Sequence, residues 1–192
     1  MATEDDQART LWGVVQSATG DPRLRAELAR IVRDAGVPAR DPRALAAAVQ
    51  QRVQRIKYLR EVPDTFVHPA RTLEWGIGDC DDMASLVCAL LRTAAVPCRL
   101  TFLGWAPLTS PGPIALGHVY AEALVGGSWF PLEAVRPVPF GWSPEAYKRS
   151  QGQRTRTLFW GDYQCTPAPS SFSSPSSAPS RPAATPPPMP RW

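Results

Sequence analysis

A short polar run leads directly into a strongly apolar segment, and this junction constrains the chain more than any other feature. The run is Gly-Asp-Cys-Asp-Asp at residues 78–82, and the apolar stretch Met83 to Leu91 follows it. The pattern predicts a buried helix that carries Cys80 on its first turn. The N–H groups and the dipole at a helix N-terminus favour negative charge, so a cysteine placed there ionises more easily.

Composition limits the classes to which the chain can belong. A length of 192 residues supports one domain plus extensions, and 44% apolar residues is ordinary for a folded core. The net charge of +4 comes from arginines dispersed among acids, which argues against nucleic-acid binding. The acidic start at residues 1–6 lacks the features of a signal peptide, and no apolar stretch approaches the ~18 residues of a membrane span. We therefore expect no membrane contact. The cysteines at 80, 88, 98 and 165 match neither a zinc site nor a disulfide framework, so we expect reduced thiols. The composition, rich in Ala, Arg and Pro, favours a bacterial cytoplasm or a phage particle as the location.

Helical periodicity and start signals predict a helical region over residues 1–55. The helices are expected near residues 11–18, from Pro22 to Ala35 after an Asp21 cap, and from Pro42 to Tyr58 or Leu59 after an Asp41 cap. Residues 61–78 and 104–116 lack a regular pattern and are expected to be loops, and a short helix is expected at 144–149.

Strands are predicted at residues 98–103, 117–125 and 128–135, and Gly126-Gly127 marks a two-residue hairpin turn between the last two. With this turn, opposed residues have numbers that sum to 253, so Tyr120 faces Glu133. His118 and Glu133 then become diagonal neighbours on one face of the sheet. Glu122 shares that face but lies roughly 13 Å from His118 along the strand. The opposite face is apolar, which predicts a sheet with one face on the core and one in a cleft.

The order Cys80, His118, Glu133 supplies a nucleophile, a base and an orienting acid, the parts of a cysteine hydrolase or acyltransferase. At these residues the chain resembles the transglutaminase-like superfamily, a branch of the papain-like cysteine enzymes. The resemblance extends from Ile56 to Val135. The matching segments are Pro-Ala-Arg-Thr-Leu at 69–73, Gly-Asp-Cys-Asp-Asp, Val-Pro-Cys-Arg at 96–99, Gly-His-Val-Tyr-Ala-Glu at 117–122 and Trp-Phe-Pro-Leu-Glu at 129–133.

The resemblance implies an α+β fold with a papain- or transglutaminase-like core, in which the helix bearing Cys80 packs on an antiparallel sheet. It implies that Cys80 is the nucleophile, that His118 is the base, and that Glu133 orients His118, although the family usually has Asp at this third position. A protein or peptide amide would be cleaved through a thioester, with transfer to a second amine as the alternative outcome. No cofactor or metal is expected, because adjacent acids on a helix point apart.

Five further residues are assigned roles around this trio. Trp75, Tyr58 and Tyr120 are the candidates for the cleft wall and for the oxyanion donor that assists the Cys80 N–H. Asp79 and Asp82 are expected to cap the Cys80 helix.

The chain is therefore divided into a helical region at 1–55, a catalytic core at 56–164 and a disordered Pro/Ser-rich tail at 165–192. The tail also suggests a second hypothesis. The chain could be an inactive structural or interaction module, for example in a phage particle, that docks on a protein partner through its tail.

Overall fold

Six helices and two sheets make up the part of the chain that this computed structural model describes, which is residues 3–38, 40–60 and 65–162. The helices are α1 (Glu4–Ala18), α2 (Pro22–Ala35), α3 (Pro42–Val53), α4 (Pro69–Trp75), α5 (Cys80–Thr93) and α6 (Pro144–Ser150). The strands are β1 (Lys57–Tyr58), β2 (Ile77–Gly78), β3 (Cys98–Pro107), β4 (Leu116–Val125), β5 (Ser128–Leu132) and β6 (Gln153–Gly161). The expectations for the tail at 165–192 lie outside the described residues.

Capping residues set the starts of the N-terminal helices. The predicted caps of α2 and α3 are confirmed, because the side chains of Asp21 and Asp41 accept N–H groups of their first turns and a proline follows each cap. The predicted end of α3 is wrong. The helix stops at Val53, and Lys57–Tyr58 instead pairs in parallel with Ile77–Gly78. The N–H groups of Lys57 and Leu59 donate to the carbonyls of Gly76 and Gly78, which replaces helical bonding.

The segment expected to be a loop at 61–78 contains α4 and β2, so that prediction is also wrong. Pro69 occupies the first helical position, and His68 Nδ1 accepts the Ala70 N–H at 3.3 Å. Gly76 ends the helix with a φ of 67°, a conformation that glycine adopts without strain. The helix was missed because histidine is an unusual capping residue and the helix has only two turns.

The larger sheet is antiparallel with strand order β5-β4-β3-β6. The register predicted from Gly126-Gly127 is confirmed: Val125 pairs with Ser128, Ala123 with Phe130 and Ala121 with Leu132. Strand β5 ends at Leu132, earlier than predicted. Strand β6 was not predicted. Strand β3 extends to Pro107 because β6 pairs with it from Arg99 to Pro107.

Helix α5 lies at the centre of the fold, with the sheet on one side and α1 to α4 on the other. Eleven of its residues are buried, including Asp81 and Asp82. The predicted α+β architecture, with the Cys80 helix against an antiparallel sheet, is confirmed. Among the described residues, no helix has both the length and the apolar character required to cross a bilayer.

The polar face of the hairpin is more covered than expected. Tyr120 and Glu122 are buried, and Glu122 accepts a hydrogen bond from Arg99 at 2.5 Å. The Arg99 guanidinium in turn lies over the rings of Trp129 and Phe159. An ion pair shielded by aromatic rings therefore closes this face, whereas His118, near the start of β4, borders a cavity.

A methyl group at Gly104 should destabilise the sheet, because β3 passes close to the loop before β4 at this point. A Cβ at Gly104 would lie 2.2 Å from the Ala115 carbonyl oxygen, whereas a Cβ at Gly117 would meet nothing within 4 Å. We expect Gly104→Ala to lower the free energy of unfolding by about 1–3 kcal/mol. Gly117→Ala is the matched control and should change it by less than about 0.5 kcal/mol. Urea unfolding of both variants checks this, and equal effects would contradict it.

Candidate functional site

Cys80 and His118 line one cavity of about 540 Å³. Its walls come from the start of α5, the start of β4, the β1 strand and the first turns of α1. The chain segments that contribute Tyr58, Cys80 and His118 are far apart in sequence, so this cavity exists only in the folded protein. It therefore brings together two members of the predicted catalytic trio.

Cys80 is the first residue of α5 and is partly exposed. Asp79 is the N-cap residue, and its N–H donates to Asp82 Oδ2 at 3.3 Å. Asp82 also accepts the Val67 N–H through Oδ1 at 3.3 Å. One carboxylate therefore orders both the start of the Cys80 helix and the chain segment that approaches it.

Three buried carboxylates surround Cys80 in sequence. Asp79, Asp81 and Asp82 each offer an oxygen atom, and these atoms lie within 4.8 Å of one another. The expectation that adjacent acids on the helix point apart is wrong here, because oxygens of Asp81 and Asp82 lie within this distance of each other. Asp79 joins them because the Asp82 side chain folds back toward the Asp79 N–H. Oxygen atoms so arranged are of the kind that hard cations bind. Asp81 Oδ1 and Asp82 Oδ2 also accept the N–H groups of Asp82 and Asp79.

His118 and Glu133 are in direct contact. His118 Nε2 lies 2.7 Å from Glu133 Oε2, and the Glu133 side chain is 1% exposed. The second carboxylate oxygen, Oε1, accepts the Val135 N–H at 2.7 Å. With its hydrogen on Nε2, the imidazole donates to the carboxylate and keeps Nδ1 as a proton acceptor. The acid thus fixes both the position of the ring and the nitrogen that carries the proton.

The three candidates for the cleft wall lie in different surroundings. Tyr58 lines the cavity although it is 44% exposed, and its pKa is raised by partial burial and by the neighbouring Cys80 and Asp79. Tyr120 is buried beside His118, with ring centroids 6.1 Å apart, and burial together with Glu122 raises its pKa.

Trp75 is not on the cavity wall. It is 51% exposed at the end of α4, and the Arg71 guanidinium lies over its ring. The sequence placed Trp75 in a loop leading to Cys80, whereas α4 turns its side chain toward solvent.

Sequence reasoning missed the contribution of α1 to the cavity. Glu4 and Gln7 line it, and Glu4 accepts hydrogen bonds from Arg156 of β6 at 2.6 and 3.0 Å. The hydrogen bond from Arg156 lowers the pKa of Glu4. No local pattern signals this contact, because 152 residues separate the two partners.

Two further cysteines lie in the core rather than at the site. Cys88 and Cys98 are both fully buried, and burial raises the pKa of the Cys88 thiol. They provide internal references for the reactivity of Cys80.

The chain is similar to known proteins both in sequence and in fold. Residues 27–134 match the family model of the transglutaminase-like superfamily, and no curated protein matches the chain. A structure from Cytophaga hutchinsonii described as a "putative cysteine protease" is 19% identical, with a TM-score of 0.43 over 71% of this chain and 48% of that one. A "putative protease" from Parabacteroides distasonis is 13% identical, with a TM-score of 0.48 over 68% of this chain and 26% of that one. The chain thus spans about half and about a quarter of these two proteins.

Replacement of Asp82 should loosen the start of α5 and the segment before α4 together. Asp82→Ala removes the acceptor for the N–H groups of Asp79 and Val67. We expect the free energy of unfolding to fall by about 1–3 kcal/mol, with faster hydrogen exchange at the Val67 amide. The exposed acid Asp34 provides the control, since Asp34→Ala should leave that amide unchanged. Unchanged hydrogen exchange at the Val67 amide in Asp82→Ala would show that Asp82 does not hold this segment.

Proposed function

The chain belongs to the transglutaminase-like superfamily, and on this basis we propose that it is a cysteine-dependent amide-bond hydrolase or acyltransferase. The observation that carries the proposal is that Cys80 and His118 line the same cavity. Buried Glu133 holds the His118 imidazole through Nε2. The proposed substrate is an amide of a protein or peptide. The proposed products are a carboxylic acid when water is the acceptor and a new amide when a second amine is.

The proposed reaction begins with proton transfer from the Cys80 thiol to His118 Nδ1. The thiolate then attacks the amide carbonyl carbon and forms a tetrahedral intermediate. Collapse of this intermediate breaks the C–N bond, and the imidazolium gives its proton to the leaving amine. The resulting thioester is attacked by water or by a second amine, whose proton returns through His118 to the Cys80 sulfur.

Glu133 contributes through the imidazole. Its carboxylate favours the tautomer with hydrogen on Nε2 and stabilises the imidazolium that forms during each proton transfer. The Val135 N–H that binds Oε1 keeps the carboxylate aimed at the ring. The oxyanion of the tetrahedral intermediate would accept hydrogen bonds from the Cys80 backbone N–H and from the Tyr58 hydroxyl.

The charges around Cys80 act in opposite directions. The α5 dipole favours a thiolate, whereas Asp79 and Asp81, which line the same cavity, disfavour it. A protonated His118 offsets the carboxylates. The reactivity of Cys80 is therefore expected to depend on His118.

Alkylation by iodoacetamide should show an activated thiol at Cys80. We expect Cys80 to react rapidly at about pH 6–7, where an ordinary thiol is mostly protonated, and Cys88 to remain unreactive in the folded protein. His118→Ala should abolish the advantage of Cys80. Peptide mass analysis after timed labelling reads each cysteine separately. Slow labelling of Cys80 at this pH would refute the catalytic proposal and leave the inactive structural or interaction module as the better hypothesis.

Two buried glutamates of the hairpin should differ sharply in their effect on turnover. Glu133 contacts His118, whereas Glu122 pairs with Arg99. We expect Glu133→Gln to lower steady-state hydrolysis of p-nitrophenyl acetate by about 100-fold, because an amide at this position no longer stabilises the imidazolium. Glu122→Gln keeps side-chain volume and burial and should stay within about threefold of wild type. Equal losses in both variants would argue against the assignment of Glu133.

A further inference from the structure

Gln50 in the last turn of α3 and Gln54, the residue that caps this helix, bind the backbone that carries Glu133. Gln50 Nε2 donates to the carbonyl oxygens of Glu133 and Val138, both at 3.0 Å. Gln54 Nε2 lies 2.9 Å from each of the same two oxygens and 2.7 Å from the Arg136 oxygen. The glutamines are one helical turn apart, so they present their amides from one face of α3. Together they grip the chain from residue 133 to residue 138.

The grip is buried. Gln50 is 1% exposed and Val138 is 8% exposed, so water does not compete freely for these hydrogen bonds. A buried carbonyl accepts hydrogen bonds and cannot donate one, which fixes the orientation of each amide with Nε2 toward the backbone. Replacement of Gln50 removes one of the two donors to the Glu133 and Val138 oxygens and leaves only Gln54 Nε2 to hold them.

The segment that is held has no strand pairing of its own. Strand β5 ends at Leu132, so the ladder with β4 does not fix Glu133. Glu133 is nevertheless the residue whose carboxylate must meet the His118 ring at 2.7 Å. The backbone on which this contact depends is therefore set from α3, 83 residues earlier in the chain.

We propose that Gln50 and Gln54 are positioning residues of the active site, which fix the Glu133 backbone so that its carboxylate holds His118 in the reactive orientation. This inference rests on the proposed function. Neither glutamine lines the cavity, so both act through Glu133 and not on the substrate.

Helix α2 in turn supports the position of α3. Arg52 of α3 pairs with Glu27 of α2, which also accepts a hydrogen bond from Arg30 at 2.7 Å. Burial acts to raise the pKa of Glu27, but the two arginines outweigh it and the net shift is downward. The charged form of Glu27 therefore ties α2 to α3, and the N-terminal helices belong to the support of the active site.

The test compares Gln50→Met with Gln51→Met in the full chain. Methionine keeps the approximate volume of glutamine and removes the donor, and Gln51 is an exposed neighbour on the same helix. We expect Gln50→Met to lower both the Cys80 alkylation rate near pH 6.5 and the kcat for p-nitrophenyl acetate by roughly tenfold to a hundredfold. The KM should stay within about twofold. Gln51→Met should match wild type in both measurements.

A double-mutant cycle separates positioning from general stability. If Gln50 acts through Glu133, then Gln50→Met should reduce turnover by less than about twofold in the Glu133→Gln background. A full additional loss in that background would overturn the proposal, as would a Gln50→Met protein with unchanged alkylation and turnover. If Gln50→Met does not fold, as judged by circular dichroism, the half-buried Gln54→Met replaces it, with the same expected and contrary results.

A second substitution tests the hydrogen bond itself. Gln50→Glu keeps the shape of the side chain, but its carboxyl group donates a hydrogen bond only when protonated. The alkylation rate relative to wild type should therefore recover as the pH falls. A constant ratio across pH would contradict the proposed donor. Failure of the proposed function looks different, because wild-type Cys80 would then itself alkylate like an ordinary thiol.

Discussion

The burial of α5 on all sides is the constraint on which the rest of the structure depends. A helix with leucines at 86, 90 and 91, all fully buried, requires apolar partners around its whole circumference. Each buried leucine contributes about 1.5–3 kcal/mol, and leucines on different sides of α5 need covering elements on more than one side. The sheet therefore covers one side, and α1 to α4 cover the other. The N-terminus of α5 borders the cavity that His118 also lines, and Cys80 occupies that end.

The same end of α5 concentrates opposing electrostatic effects. Three carboxylates are buried within one turn of a cysteine whose proposed role requires negative charge. Asp82 has a structural role, since its carboxylate accepts hydrogen bonds from two backbone N–H groups. Asp79 and Asp81 instead line the cavity, where their negative charge would oppose the proposed thiolate unless a cationic His118 offset it. An enzyme of this design would be reactive only with the imidazole in place.

Local patterns predicted the parts of the fold that local chemistry determines. Gly126-Gly127 defined the hairpin register, and from it the shared face of His118 and Glu133, because a two-residue turn leaves one pairing available. Helix α4 and strand β6 were missed, since a histidine cap is unusual and β6 depends on a distant partner, β3. The contribution of α1 to the cavity and the glutamine contacts to residues 133–138 were also invisible. These contacts join segments about 80 or more residues apart, and no periodicity within either segment records them.

The glutamate at position 133 and the glutamines of α3 are best understood together. The family usually has Asp at this position, and Glu adds a methylene group and one rotatable bond between backbone and carboxylate. A longer side chain has more conformations to lose, which costs free energy when it is held in one of them. Here both carboxylate oxygens are engaged, one by His118 and one by the Val135 N–H. The backbone beneath the side chain is held in turn by Gln50 and Gln54, so the extra freedom of the glutamate is removed from both ends.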